Sequence, residues 1–392
     1  MRVSYEVGRE LIARGHSLDL YRLNMFPNKG SFDIAREATS VRVTPYRPLW
    51  GALDARLRDV HLAPRSYTLF GPLRRVHEKL AAEIRAGGYD VVLLHHDALT
   101  QAPYALRWLD GVPTVYYCQE PPRFATERAI REAHRRHLAR PPWAVGQLRL
   151  LEDRLVLGRL ARADYESARH AKVILVNSAY SRERVYAAYA RNAVVCYLGI
   201  HPERFTPSEV GVERRREVLS VGVPIYAKGH ELVVEALGRL PAESRPKLRL
   251  ILPVPGGTEQ LEQLARTRNV ELVIDTGLDE TTVVERFRMA LMTVCAARLE
   301  PFGLTAVESM GCGTPVVEIN EAGFRESVVN GVTGLLVEPD AGSLAAGIGL
   351  LALDVALVAR MGAAGRKNVL ERWTWKRTTD QIEQILVDAS RS

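Results

Sequence analysis

Residues Leu299 to Asp340 read LEPFGLTAVESMGCGTPVVEINEAGFRESVVNGVTGLLVEPD. Two carboxylates, Glu300 and Glu308, stand eight positions apart across a turn-to-helix junction. Pro301-Phe302-Gly303 follows the first, and Leu304 to Met310 has the pattern of opening helical turns. A helix start presents backbone N–H groups without intrahelical partners and a partial positive charge, which favours an anion such as a phosphate. A carboxylate just before that start, and another about one turn in, can each accept hydrogen bonds from hydroxyls. An anion site beside two hydroxyl acceptors suits a sugar-phosphate compound. The alternative is a generic strand–helix junction in which the glutamates serve the helix start.

Outward from this block, short β-branched or apolar runs alternate with longer helical patterns, which predicts α/β domains with parallel sheets. The predicted strands of the first half are Ser17–Leu23, Val41–Tyr46, Asp90–His95, Pro113–Cys118, Lys172–Asn177 and Ala193–Leu198. Those of the second half are Glu217–Val221, Lys247–Val254, Val270–Thr276, Leu291–Ala296, Thr314–Ile319 and Thr333–Val337. A chain of 392 residues exceeds one ordinary core, so two domains are expected, linked through the Pro-bearing, charged segment His201–Arg215. Apolar content of 47% and charged content of 25% are those of an ordinary globular protein.

The four cysteines, Cys118, Cys196, Cys295 and Cys312, have neither metal-ligand nor disulfide spacing. They read as buried free thiols of a reducing compartment. Glu6, Arg9 and Glu10 occupy the place of a signal peptide's apolar segment. The most apolar long run, Leu344 to Met361, contains Asp354 and Arg360 and reads as helices packed on a sheet. A net charge of +7 is modest, but Arg123 to Arg140 concentrates six arginines with two glutamates and two histidines. That segment reads as a solvated basic helix face, or as a contact for anionic phospholipid or a pyrophosphate-linked acceptor. No nucleic-acid-reading module accompanies it.

The Glu300–Glu308 block, GCGTPVV, the Gly323–Glu326 turn and NGVTGLLVEPD resemble the retaining, nucleotide-sugar-dependent glycosyltransferases of family 4. The resemblance covers most of the chain more weakly. It implies a GT-B fold, two Rossmann-like domains facing across a cleft, with the last helix crossing back to the first domain. The boundaries it suggests are 1–203 with 375–392 for an acceptor domain, and 204–374 for the donor domain. It implies transfer of a hexose-type sugar from a UDP or GDP donor to a hydroxyl of a glycan or lipid-linked acceptor. No metal or other cofactor is implied, and the place of action would be the cytoplasm or the inner membrane face.

Residue by residue, the resemblance makes Glu300, Lys228 and Gln119 the catalytic candidates. Glu308, Gly303, Leu304, Phe302 and Arg298 are the donor-binding candidates, and His95, His96 and Arg123 those on the acceptor side. Lys228 would meet the diphosphate. Relatives usually have arginine where this chain has Val223, and Arg298 is the candidate replacement cation. Many relatives have histidine where this chain has Gln119, whose amide can orient a hydroxyl but cannot exchange a proton near neutral pH. Asn177-Ser178 resembles a strand-end pair of structural role.

The start of the chain is unusual for such a domain. Tyr5 to Ala13 is already an amphipathic helix, with no strand and glycine loop before it. The expectation is that about 20 residues, one strand and its loop, precede this point in a full domain. Met1 would then be a misassigned start or a truncation. Val223, Gln119 and that beginning define the alternative, a weak or inactive nucleotide-sugar-binding homologue. A nucleotide-sugar epimerase of related build fits the two-glutamate block less well.

Overall fold

The computed structural model describes residues 2–23, 32–44, 46, 71–96, 100–128, 130–132, 143–209 and 213–391. They divide into two compact units. The first comprises Met1–Asn177, Ser181–Cys196 and Thr379–Ser392; the second comprises Ser178–Tyr180 and Tyr197–Thr378.

In the first unit the chain enters through helix α1 (Arg2–Ala13), whose Val3, Val7 and Leu11 recur at helical spacing and are buried. Strands β1 (Asp19–Leu23) and β2 (Ser40–Thr44) pair in parallel. Helix α2 (Gly71–Ala86) precedes β3 (Val92–His95) and β4 (Thr114–Tyr117). Helix α3 (Trp143–Ala168), β5 (Val173–Val176), helix α4 (Ala179–Tyr189, whose first two residues group with the second unit) and β6 (Val194–Val195) complete the alternation. Strands β3, β4, β5 and β6 form a second parallel sheet in that order. Tyr89, just before β3, donates its hydroxyl to Asp19 at 2.7 Å and lies 2.9 Å from the Tyr21 hydroxyl, tying β1 to the second sheet's core.

The second unit is a six-stranded parallel sheet, ordered β12-β11-β10-β7-β8-β9. Its strands are β7 (Arg215–Val221), β8 (Lys247–Leu252), β9 (Leu272–Thr276), β10 (Ala290–Cys295), β11 (Val316–Ile319) and β12 (Gly334–Val337). Every residue of β10 and β11 is buried, as expected of central strands covered on both faces. Helices α5 (His230–Gly238), α6 (Glu259–Thr267), α7 (Glu280–Met289), α8 (Leu304–Gly311), α9 (Ala341–Leu353) and α10 (Val355–Arg372) supply the crossovers and flanks. The chain builds outward from β7 through β8 and β9, then returns to build β10, β11 and β12 on the other side. The order therefore reverses between β7 and β10, and beyond the carboxyl ends of those two strands lies the crevice where open α/β sheets bind ligands.

The predicted strands all form, most with ends shifted by one or two residues in either direction, and Ala193–Leu198 is reduced to the two-residue β6. The Leu344–Met361 run falls on α9 and α10, broken at Asp354, whose carboxylate accepts the Leu357 N–H at 2.8 Å and starts α10. The two helices bend by 102°, and among the described residues no single helix is long and apolar enough to cross a membrane. The last helix, α11 (Trp375–Arg391), begins in the second unit, and its residues from Thr379 onward group with the first. There Glu383 accepts from Arg14 at 2.6 Å, and the Ala389 carbonyl accepts from Lys172 at 3.2 Å. All four cysteines are free and buried.

Candidate functional site

The loops that leave β7 and β10 meet at the switch point of the second unit. After β7 the chain passes through Gly222 and a single 3-10 turn, Tyr226–Lys228, to Gly229, which starts α5. Gly229 has φ +69°, and a Cβ there would lie 2.0 Å from the Ala296 carbonyl oxygen. Only glycine tolerates both the left-handed backbone and that approach, so the loop closes onto the end of β10. The Arg298 N–H then donates to the Ala227 carbonyl at 2.8 Å. These constraints place Lys228 Nζ 2.9 Å from Glu300 Oε2. The pair keeps 32% and 20% side-chain exposure, so both groups are open to a ligand. His230, the first residue of α5, is buried beside them with Nδ1 3.0 Å from Ser220 Oγ. Burial pushes its imidazole down to about 4, so it is neutral near pH 7.

Glycine also decides the start of α8. Gly303 has φ +91°, and a Cβ there would press to 2.6 Å from the Phe324 ring. No side-chain oxygen caps this start, which leaves the first turn at Leu304 suited to an anion. Glu308 sits one turn along α8 and is buried. Phe302 is 2% exposed and packs edge-on against Trp373, with ring centroids 5.7 Å apart. Its side chain belongs to the core. Arg298 gives its guanidinium to Glu321, at 2.9 Å through Nε and 2.8 Å through Nη2.

Glu318, which sequence reasoning passed over, lies on β11 opposite Cys295 in register and is fully buried. Burial pushes its carboxyl well above the ordinary range, with the Glu300 charge adding to the rise and Cys295 opposing it. Burial thus disfavours the charged form of Glu318, whose carboxyl also feels the Glu300 charge. Its signal in the sequence was one carboxylate inside the apolar run Val316-Val317-Glu318-Ile319.

In the first unit, His95 ends β3 opposite Tyr117 of β4, and Gln119 follows β4 by two residues. His95, His96 and Gln119 thus share the carboxyl end of neighbouring parallel strands. Burial, with the neighbouring His96 second, pushes His95 down to about 3, so its imidazole is neutral. The Gln119 carbonyl accepts from Ser181 Oγ at 3.3 Å, and Ser181 also donates to Asn177 Oδ1 at 2.7 Å. Arg123 begins a four-residue helical turn ending at Thr126, and its guanidinium pairs with Glu127 at 2.9 Å and Glu120 at 3.6 Å. Of the basic stretch Arg123–Arg140, residues 129 and 133–140 lie outside the described residues. The described part is interrupted at Glu127, so it is not one continuous helix. Among the described residues no group of three or more His, Cys, Asp or Glu side chains is arranged to hold a metal ion.

Residues 203–368, nearly all of the second unit, match the family model described as glycosyl transferases group 1. The second unit is a group 1 glycosyltransferase domain. The likeness extends through the first unit as well. The D-inositol 3-phosphate glycosyltransferase of Thermobifida fusca is 28% identical over 98% of this chain and 87% of its own length. Sucrose-phosphate synthase from Thermosynechococcus elongatus superposes with a TM-score of 0.74, covering 98% of this chain and 91% of that one at 20% identity. The Anabaena protein HepE, solved in complex with UDP, superposes with a TM-score of 0.66 over 91% of this chain and 88% of its own, at 18% identity. The fold is that of the GT-B glycosyltransferases. In this group 1 domain, Lys228, Glu300 and Gly303 occupy the loops at the switch point, and Leu304 and Glu308 lie on the helix that one of those loops begins.

Proposed function

We propose that this glycosyltransferase moves a hexose-type sugar from a UDP or GDP donor to an acceptor hydroxyl with retention of anomeric configuration. The observation that carries the reading is the 2.9 Å Lys228–Glu300 pair in the loop that leads to a start of α8 with no side-chain cap. A leaving nucleoside diphosphate gains negative charge as the glycosidic bond breaks, and fixed donors aimed at that charge are the largest help a protein gives. Lys228 supplies a compact cation, and the N–H groups at Gly303 and Leu304 supply oriented dipoles. Glu300 accepts hydrogen bonds from hydroxyls of the sugar, and Glu308 from those of the donor's ribose. The acceptor's proton passes to an oxygen of the departing diphosphate as the new glycosidic bond forms on the same face. Gln119 orients a hydroxyl, with His95, His96 and Arg123 on the acceptor side. No metal or cofactor enters this scheme.

The acceptor we propose is a glycan or lipid-linked precursor of the cell surface, met in the cytoplasm at the inner membrane face, with the Arg123–Arg140 segment as a peripheral contact. The name of the Thermobifida relative adds D-inositol 3-phosphate to the acceptors worth presenting. The test incubates the purified full chain with UDP- and GDP-hexoses and these acceptors, with and without chelator. Acceptor-dependent nucleotide release, unchanged by chelator, and a product retaining the donor's configuration by proton NMR are expected. Inversion would overturn the retaining mechanism. Tight nucleotide binding without any release would favour the inactive homologue.

Glu308→Gln separates binding from turnover. Losing a hydrogen bond to a charged acceptor costs about 1.5–3 kcal/mol. The donor KM should rise by about 10- to 100-fold while kcat changes little, because this contact is remote from the breaking bond.

A further inference from the structure

The backbone of Glu300 is tied at three consecutive residues, and two of the ties come from one short segment, Glu321–Glu326. Arg298 donates its N–H to Ala227 at 2.8 Å. Leu299 donates its N–H to Glu321 Oε2 at 3.3 Å, and the same carboxylate takes the Arg298 guanidinium in a two-pronged contact. The Glu300 carbonyl accepts the Gly323 N–H at 2.9 Å. A Cβ on Gly323 would lie 2.3 Å from the Pro301 carbonyl oxygen, so the segment presses directly on the site loop. Its far end is anchored in turn. The Glu326 carboxylate accepts the Ala179 and Tyr180 N–H groups at 2.8 and 2.9 Å, and the Tyr197 hydroxyl at 2.9 Å. Leu299, which makes one of these ties, and Ala322, between Glu321 and Gly323, have φ of +52° and +50°. Left-handed backbone at non-glycine residues is costly and persists where the surroundings over-determine it.

We propose that Glu321 is a positioning residue for sugar transfer: by clamping Arg298 and the Leu299 N–H it fixes the Glu300 carboxylate against the donor sugar. The inference rests on the reading of Glu300 as the sugar contact. It gives Arg298 a different part from that of a replacement phosphate cation. The two-pronged contact fixes the guanidinium's orientation against Glu321 through Nε and Nη2, and in this proposal its job is to lock the turn. A reacting group displaced by about 1 Å loses on the order of 100-fold in rate, so a clamp of this kind acts on turnover.

The experiment uses the full chain and the variants Glu321→Gln, Glu321→Asp, Arg298→Met and the Glu321→Gln/Arg298→Met pair. Glu321→Gln and Arg298→Met should each lower kcat by about 10- to 100-fold with donor KM within about threefold. The double variant should be no worse than either single, since both break one contact. Glu321→Asp, which keeps the charge, should recover part of the rate. If Arg298→Met instead raises the donor KM strongly and the two losses add, Arg298 touches the donor and the proposal is overturned. Hydrogen exchange reads the clamp without turnover. The Leu299 amide should exchange at least tenfold faster in Glu321→Gln than in the parent, and an unchanged rate would overturn the proposal. A parent chain that releases no nucleotide would defeat the proposed activity, while the exchange result would still decide the clamp.

Discussion

Glu300→Gln is expected to lower kcat by about 100- to 1000-fold, with a much smaller change in donor KM. The side chain keeps its size and remains an acceptor, so the change removes charge without emptying the site. What is lost is the strengthened hydrogen bonding to the sugar as positive charge grows at its anomeric carbon. Removing one such preorganised electrostatic contact typically costs 10²–10³ in turnover, and a contact that tightens only at the transition state appears in kcat rather than KM. Initial rates over a donor series measure this directly. A variant with the kinetics of the parent would remove Glu300 from the chemistry.

Lys228→Met should weaken kcat/KM by an amount equivalent to about 2 kcal/mol, the low end of the range for a buried charged pair, because the pair keeps 32% and 20% side-chain exposure. Two effects combine. The diphosphate loses its cation, and Glu300 keeps a negative charge with no partner at 2.9 Å, facing an anionic donor. The second effect makes the loss non-additive: in Lys228→Met/Glu300→Gln the repulsive carboxylate is gone, so the double variant should fall short of the summed single losses. Strict additivity by steady-state kinetics would mean that the pair does not act as a unit.

The fold was largely legible because parallel strands buried on both faces leave unbroken apolar runs. Thr314–Ile319 and Leu291–Ala296 were readable for that reason, and they are the β11 and β10 that flank the site. Ala193–Leu198 carried the same kind of run, yet only Val194–Val195 form strand, with Cys196 adding one N–H to the Val176 carbonyl at 2.7 Å. Asp354 inside an apolar stretch was legible as a break, and it caps α10.

The candidate site was legible where its residues are local in sequence. Glu300, the glycine at 303 and the start of α8 follow one another, and their spacing states their geometry. Lys228 was tied to them by resemblance, and the structure brings its ammonium to Glu300 across 72 residues of chain. What stayed hidden depends on tertiary partners. Arg298 reads as a spare cation until Glu321 is seen in its fork. Glu326 reads as a turn residue until its carboxylate is found on the Ala179 and Tyr180 amides, nearly 150 positions away. Glu318 draws no notice in the sequence until the burial of β11 shows a carboxyl whose charged form is disfavoured. No spacing rule links such partners, because the sheet order that brings them together is itself a product of folding.

The central claim is that the loops after β7 and β10 bind the diphosphate of a sugar nucleotide. Calorimetric titration of the full chain with UDP and with GDP, repeated on Lys228→Met, tests it most directly. The account predicts saturable one-site binding of at least one of the two nucleotides, weakened at least tenfold in Lys228→Met. Equal affinity in the parent and the variant, or no binding of either nucleotide by the parent, would contradict it.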